Sequence, residues 1–231
     1  MLQQAFEALK TYDWGTDRNQ LAPIDAAIIS TRDDAAARKA LEDQMIAALN
    51  SSISRDAKDT VCRWLMIVGT ANSVPALAEL LPNAELSHMG RYALERIPAA
   101  EAGQALLAAL PKVSNELKIG VLSSLAKRTD VTDVAAIAAL LTADDGAVAR
   151  SAALALGTIG SPAAAKALAD AKPNDAAKGA ATDSKLACAE RLLAAGNKVE
   201  ALGLYKSLVG DDQPKQVRLA ATRGMLACAG N

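Results

Sequence analysis

Aromatic side chains are scarce in this chain: one Phe, two Trp and three Tyr make up 3% of 231 residues. β-Sandwiches and barrels draw on aromatic and β-branched residues for their strands, so an all-β fold is argued against. Cysteine is equally thin. Cys62, Cys188 and Cys228 are odd in number and form no CxxC, which argues against a disulfide framework and leaves buried reduced thiols as the expectation. His88 is the single histidine, and no two Cys or His residues sit at ligand spacing, so neither a metal nor a cofactor is expected. Charge of one sign is lacking too: 25 Lys+Arg against 26 Asp+Glu give a net charge of −1. Residues 1–115 carry 11 basic and 14 acidic residues, and 116–231 carry 14 and 12. Neither half has the basic excess of a duplex-coating protein, so no nucleic-acid partner is expected. No apolar run reaches the roughly 18 residues that a membrane span needs. The start, Met1-Leu2-Gln3-Gln4-Ala5-Phe6-Glu7, lacks a basic segment followed by an apolar stretch. A cytoplasmic location is therefore the default expectation, or a periplasmic or exported one if Met1 replaces a leader.

Alanine is what the chain has in quantity. Its 53 copies exceed one residue in five, and the chain is 51% hydrophobic. Ala is the best helix former and the smallest side chain that still packs, so this inventory favours helices lying close together. Fourteen Gly, eight Pro and 22% evenly spread charge argue against disorder and collagen-like repeats. The length suits one or two ordinary domains, or one quasi-one-dimensional array.

Internal repeats decide between these. The clearest unit runs from Val148 to Leu168. A helix with small and apolar residues at i, i+3 and i+4 ends at Gly160, a left-handed cap residue; Ser161 then caps the next helix, with Pro162 in its first position. Similar pairs begin near Val61, His88, Lys118 and Leu186, with a last half-unit from Val217. The anchor leucines Leu65, Leu94, Leu125, Leu156, Leu192 and Leu226 follow at steps of 29, 31, 31, 36 and 34. That regularity predicts an all-α fold: a right-handed α-solenoid of about six stacked antiparallel helix pairs.

The units ending at Gly69, Pro98 and Gly160 resemble HEAT-type repeats, especially the short bacterial HEAT-like repeat also seen in phycobilin lyases. Residues 185–214 look more like a tetratricopeptide repeat, with Ala189, Leu192, Gly196, Ala201, Tyr205 and Leu208 at that motif's packing spacing but without its early Trp. Residues 1–54 describe three helical pieces, an N-terminal cap for the array. The expected organisation is a cap over 1–54, HEAT-like repeats over 55–172 and tetratricopeptide-like repeats over 173–231, all in one continuous solenoid. Lys172–Asp183 is the one linker-like stretch, read as a mobile joint.

Chemistry is hard to find. A relay through His88 has no partner recognisable by spacing, and no catalytic residue is expected. The resemblance implies two enzymatic relatives to weigh. HEAT-like deoxyhypusine hydroxylases need several His-Glu pairs, which one histidine excludes; HEAT-like DNA glycosylases need a cationic concave face and aromatics, and are disfavoured. The Asp pairs 33–34, 144–145 and 211–212 recur just before helices, where a carboxylate caps free N–H groups.

One surface stands out. Taking each anchor leucine as buried, residues two, three and six before it and one after should point away from the core. These are Arg63, Cys62, Asp59 and Met66, then Tyr92, Arg91, His88 and Glu95. The third and fourth repeats place Ser123, Leu122, Ile119 and Ala126, then Leu154, Ala153, Arg150 and Gly157 there. The HEAT resemblance implies that this face is concave. The candidate binding residues are therefore Arg63, His88, Arg91, Tyr92, Glu95 and Arg150, since Arg and Tyr are favoured interface anchors. A solvated face with inter-repeat salt bridges is the competing reading. The expected function is a non-enzymatic, monomeric scaffold for a protein partner. The alternative is an enzyme-associated helical module: a chromophore-lyase-type chaperone, or an accessory domain of a larger exported bacterial enzyme.

Overall fold

In the computed structural model, described over residues 1–230, every regular element is helical. The chain divides into two compact units, Met1–Val113 and the residues from Ser114 onward. The first holds α1 (Leu2–Leu9), α2 (Ala22–Ser30), α3 (Ala35–Leu49), α4 (Arg55–Val68), α5 (Val74–Ala78), α6 (Ser87–Arg96) and α7 (Ala100–Ala109). The second holds α8 (Asn115–Lys127), α9 (Ala135–Ala138), α10 (Gly146–Ile159), α11 (Pro162–Asp170), α12 (Asp175–Ala194), α13 (Lys198–Lys206) and α14 (Lys215–Ala229).

Stacking within each unit is that of an α-solenoid. In the first, α3 packs on α4, α4 on α6, and α5 on α7. In the second, α8, α10, α12 and α14 form one layer of successive neighbours, and α9, α11 and α13 form the other. From α4 onward, the helices of a unit meet their equivalents one repeat away, so burial there is local along the stack.

Helices begin where capping chemistry allows. The side chains of Asp34, Ser54, Ser114, Asp145, Ser161 and Asn174 each accept a backbone N–H of the helix that follows. Gly160 closes α10 at φ 61°, and Pro162 opens α11 immediately after Ser161. Asp211 and Asp212 depart from this pattern. Asp211 pairs with Arg218 at 2.6 Å and Asp212 accepts from Gln213 at 2.7 Å, while α14 starts after Pro214 with no side-chain cap.

The anchor leucines Leu65, Leu94, Leu125, Leu156 and Leu192 are all 0% exposed. Leu226 is not: it is 70% exposed, and Val217 and Ala221 are the buried residues of its helix. Cys62, Leu122 and Ala153, expected on an outward face, are completely buried. A solenoid helix is covered on two sides, by its own pair and by the next repeat, and these residues face the next repeat. The linker-like stretch is also helical from Asp175: Asn174 caps it and its alanines carry α12 through to Ala194.

Candidate functional site

The polar cluster of the first unit is built across α4 and α6, which pack side by side. On α4, Asp59 and Arg63 are one turn apart, and Arg63 Nε donates to Asp59 Oδ2 at 2.9 Å. From α6, the Tyr92 hydroxyl donates to the other carboxylate oxygen, Asp59 Oδ1, and lies 3.3 Å from the Asp59 carbonyl oxygen. The Arg63 guanidinium carbon stands 5.6 Å from the Tyr92 ring centroid, a cation–π arrangement. His88, one turn earlier on α6, meets the same ring edge-on, centroids 5.2 Å apart at 70°. Arg91 Nη2 lies 3.5 Å from His88 Nδ1; a guanidinium has only donors, so Nδ1 is the accepting nitrogen there.

Four of the six residues expected to form a surface are therefore brought together: Arg63, His88, Arg91 and Tyr92. Arg63 and His88 are exposed, whereas Arg91 and Tyr92 are half-buried, so the latter two are partly structural. Glu95 is half-buried one turn beyond Arg91, and its charge acts on that guanidinium. Arg150 belongs to the second unit, where its Nη1 reaches the Ala176 carbonyl at the start of α12, at 3.4 Å.

Electrostatics follow from the contacts. Partial burial opposes ionisation of Asp59, but hydrogen bonds from Tyr92 and Arg63, with the charges of Arg63 and Arg55, outweigh it and hold the carboxyl below its ordinary 3.8. Burial, then the bond to Asp59 and that carboxylate's charge, push the Tyr92 phenol far above its usual range, so it stays a neutral donor. The hydrogen bond to Asp59 raises Arg63 further, while burial lowers Arg91 against the opposing pull of Glu95. Cys62, beneath this cluster, is pushed up to about 12 by burial and by Asp59. It is a packed neutral thiol, not a nucleophile. Chemically, the cluster offers a fixed fork of donors, an imidazole and a ring edge to a polar surface.

Residues outside the candidate set organise this unit. Asp59 is the hub of the cluster, and its partner Tyr92 lies 33 residues away. The nearby signal was the Asp59/Arg63 spacing of one helical turn. Glu42, 1% exposed, accepts the Thr70 N–H at 2.7 Å and the Ser73 hydroxyl at 2.5 Å, clamping the α4–α5 turn onto α3. Trp64 Nε1 similarly donates to Asp25 Oδ1 at 2.7 Å, tying α4 to α2.

Among the described residues, no helix is long and apolar enough to cross a membrane. No family model matches the sequence, and no curated protein matches it. Similar solved structures exist. An archaeal HEAT-like repeats protein from Thermococcus onnurineus NA1 is 13% identical, with 99% of this chain and 92% of that one covered, at a TM-score of 0.41. An engineered protein from the Northeast Structural Genomics Consortium is 20% identical over 97% of this chain and 68% of its own, at a TM-score of 0.40. A second from the same source is 19% identical over 97% and 96%, at a TM-score of 0.29. The first of these is a HEAT-like repeat protein; for this chain, the helix pairs stacked within each unit carry the assignment as an all-α helical-repeat fold.

Proposed function

We propose that this chain is a non-enzymatic scaffold that holds a protein partner against the α4–α6 face of its first unit. One observation carries the reading. Arg63 and His88 are exposed, yet both are already positioned on the Tyr92 ring, which Asp59 fixes from the neighbouring helix. Side chains ordered before binding lose less rotamer entropy when a partner arrives, so a small patch can contribute more than its area suggests. A purely structural ion pair would not require an exposed imidazole and guanidinium on one half-buried ring.

Affinity capture from the source cell with the intact chain, followed by mass spectrometry, identifies the partner. Binding is then compared between the native chain, Arg63→Ala/His88→Ala and the control Lys166→Ala, a lysine 81% exposed and paired with Asp170. The patch variant should bind roughly tenfold or more weakly, and the control should match the native chain. Equal affinity of all three would remove the patch. Arg91 and Tyr92 are poor first targets because their half-burial mixes binding with stability.

A further inference from the structure

We infer that the outer side of α14 is a docking surface for an acidic amphipathic helix, which would stack on it as each helix of this layer stacks on the last. This surface lies in the other unit from the α4–α6 cluster and does not depend on that reading.

On α10 the side turned to the following helix is covered by α12. A Cβ on Gly146 would lie 2.7 Å from Ala176 Cβ, one on Gly157 2.9 Å from Ser184, and one on Gly160 2.7 Å from Arg191. Arg150 hydrogen-bonds the Ala176 carbonyl. The row Gly146, Ala149, Arg150, Ala153 and Gly157 is thus the side of α10 turned to the following helix, and Ala149 and Ala153 are 0% exposed.

Burial places α14 in the same register. Val148 and Ala152 of α10 are buried, and so are Val217 and Ala221, each 69 residues later. Met225 then takes the position of Leu156, one residue before the leucine expected there. Carrying the α10 row across gives Lys215, Arg218, Leu219, Thr222 and Leu226. Where α10 is covered, α14 is open: Leu219 is 53% and Leu226 70% exposed. Two leucines seven residues apart lie on one side of a helix, at the spacing by which a neighbouring helix engages.

Charge selects the occupant. The helix carries Lys215, Arg218 and Arg223 and no acidic residue. Among the described residues, Arg218 alone of the three has a carboxylate at salt-bridge distance, Asp211 on the preceding loop. A second copy of this chain, meeting α14 with α14, would set these cations against themselves. A helix with leucines on one side and flanking carboxylates satisfies both parts of the row: apolar contact at Leu219 and Leu226, and acidic contact at Lys215, with Arg218 beside it already paired to Asp211.

The test uses the full chain and a labelled synthetic helix of about four turns, with leucines at i, i+3, i+4 and i+7 and glutamates beside them. Fluorescence anisotropy should show binding that weakens on the order of tenfold in Leu219→Gln/Leu226→Gln. The lysine-for-glutamate peptide should not bind the native chain, but should bind Lys215→Glu/Arg218→Glu. Arg63→Ala/His88→Ala should bind the acidic peptide like the native chain. Circular dichroism confirms that each variant is folded; both leucines are exposed, so the fold should tolerate their change. No binding of the acidic peptide, or equal binding of both peptides, overturns the proposal. So does a concentration-dependent dimer in sedimentation that Leu226→Gln dissolves, since the occupant would then be a second copy.

Discussion

Asp59 is the residue on which the α4–α6 face depends, because both of its oxygens are used by different helices. Tyr92→Phe keeps the ring and removes only the hydroxyl. We expect a loss of about 1.5–3 kcal/mol, the range for a hydrogen bond to a charged group, measured by urea unfolding at neutral pH. The sign of the pH dependence is fixed by the lowered carboxyl. Asp59 is held below 3.8 when folded, so its contribution is complete above the ordinary carboxylate range and fades as pH falls through the folded value. In Tyr92→Phe the folded carboxyl moves back towards 3.8, so the acid-unfolding midpoint should move to higher pH. A midpoint unchanged from the native chain would show that the phenol does not stabilise the carboxylate. Glu42 makes a parallel case inside the core: Glu42→Ala leaves the Thr70 N–H and the Ser73 hydroxyl without their acceptor, and should cost about 2–3 kcal/mol in the same measurement.

Between neighbouring helices, small residues set the spacing. Gly157 lies against the Ser184 backbone, so Gly157→Ala drives a methyl into α12 and should cost about 1–3 kcal/mol, despite the better helix propensity of Ala. Calorimetry that finds Gly157→Ala neutral or stabilising would mean that α10 and α12 can move apart freely. Leu125→Ala and Leu156→Ala, at fully buried sites, should cost about 2–5 kcal/mol each. This scale also explains what the sequence made legible. Caps at Asp34, Asp145 and Ser161 and the turn at Gly160 are chemistry among near neighbours in the chain, so they could be read directly. The five buried anchors followed from repetition alone. Cys62, Leu122 and Ala153 were misplaced because a helical wheel supplies one buried side, whereas a stacked helix has two. Leu226 was misplaced because a leucine beside the true register position, Met225, looks like an anchor until the burial of Val217 and Ala221 fixes the rotation. At the site, residue types drew attention to Arg63, His88, Arg91 and Tyr92. The role of Asp59 depends on a partner one repeat away, and that pairing is set by how α4 meets α6.

For the whole molecule, stability is expected to be a sum of contacts between adjacent helices within each unit, and those contacts also hold the binding surfaces in place. The second unit shows this most directly, since α10 touches α8 and α12 in its layer and α12 in turn touches α13 and α14. Native-state hydrogen exchange, read by mass spectrometry on Leu156→Ala against the native chain, tests the claim. Protection should fall in α8, α10, α11 and α12, and the peptides of α2, α3 and α4 should exchange at native rates. A uniform rise in exchange from α1 to α14 would contradict it, because it would mean that the chain opens as one cooperative core.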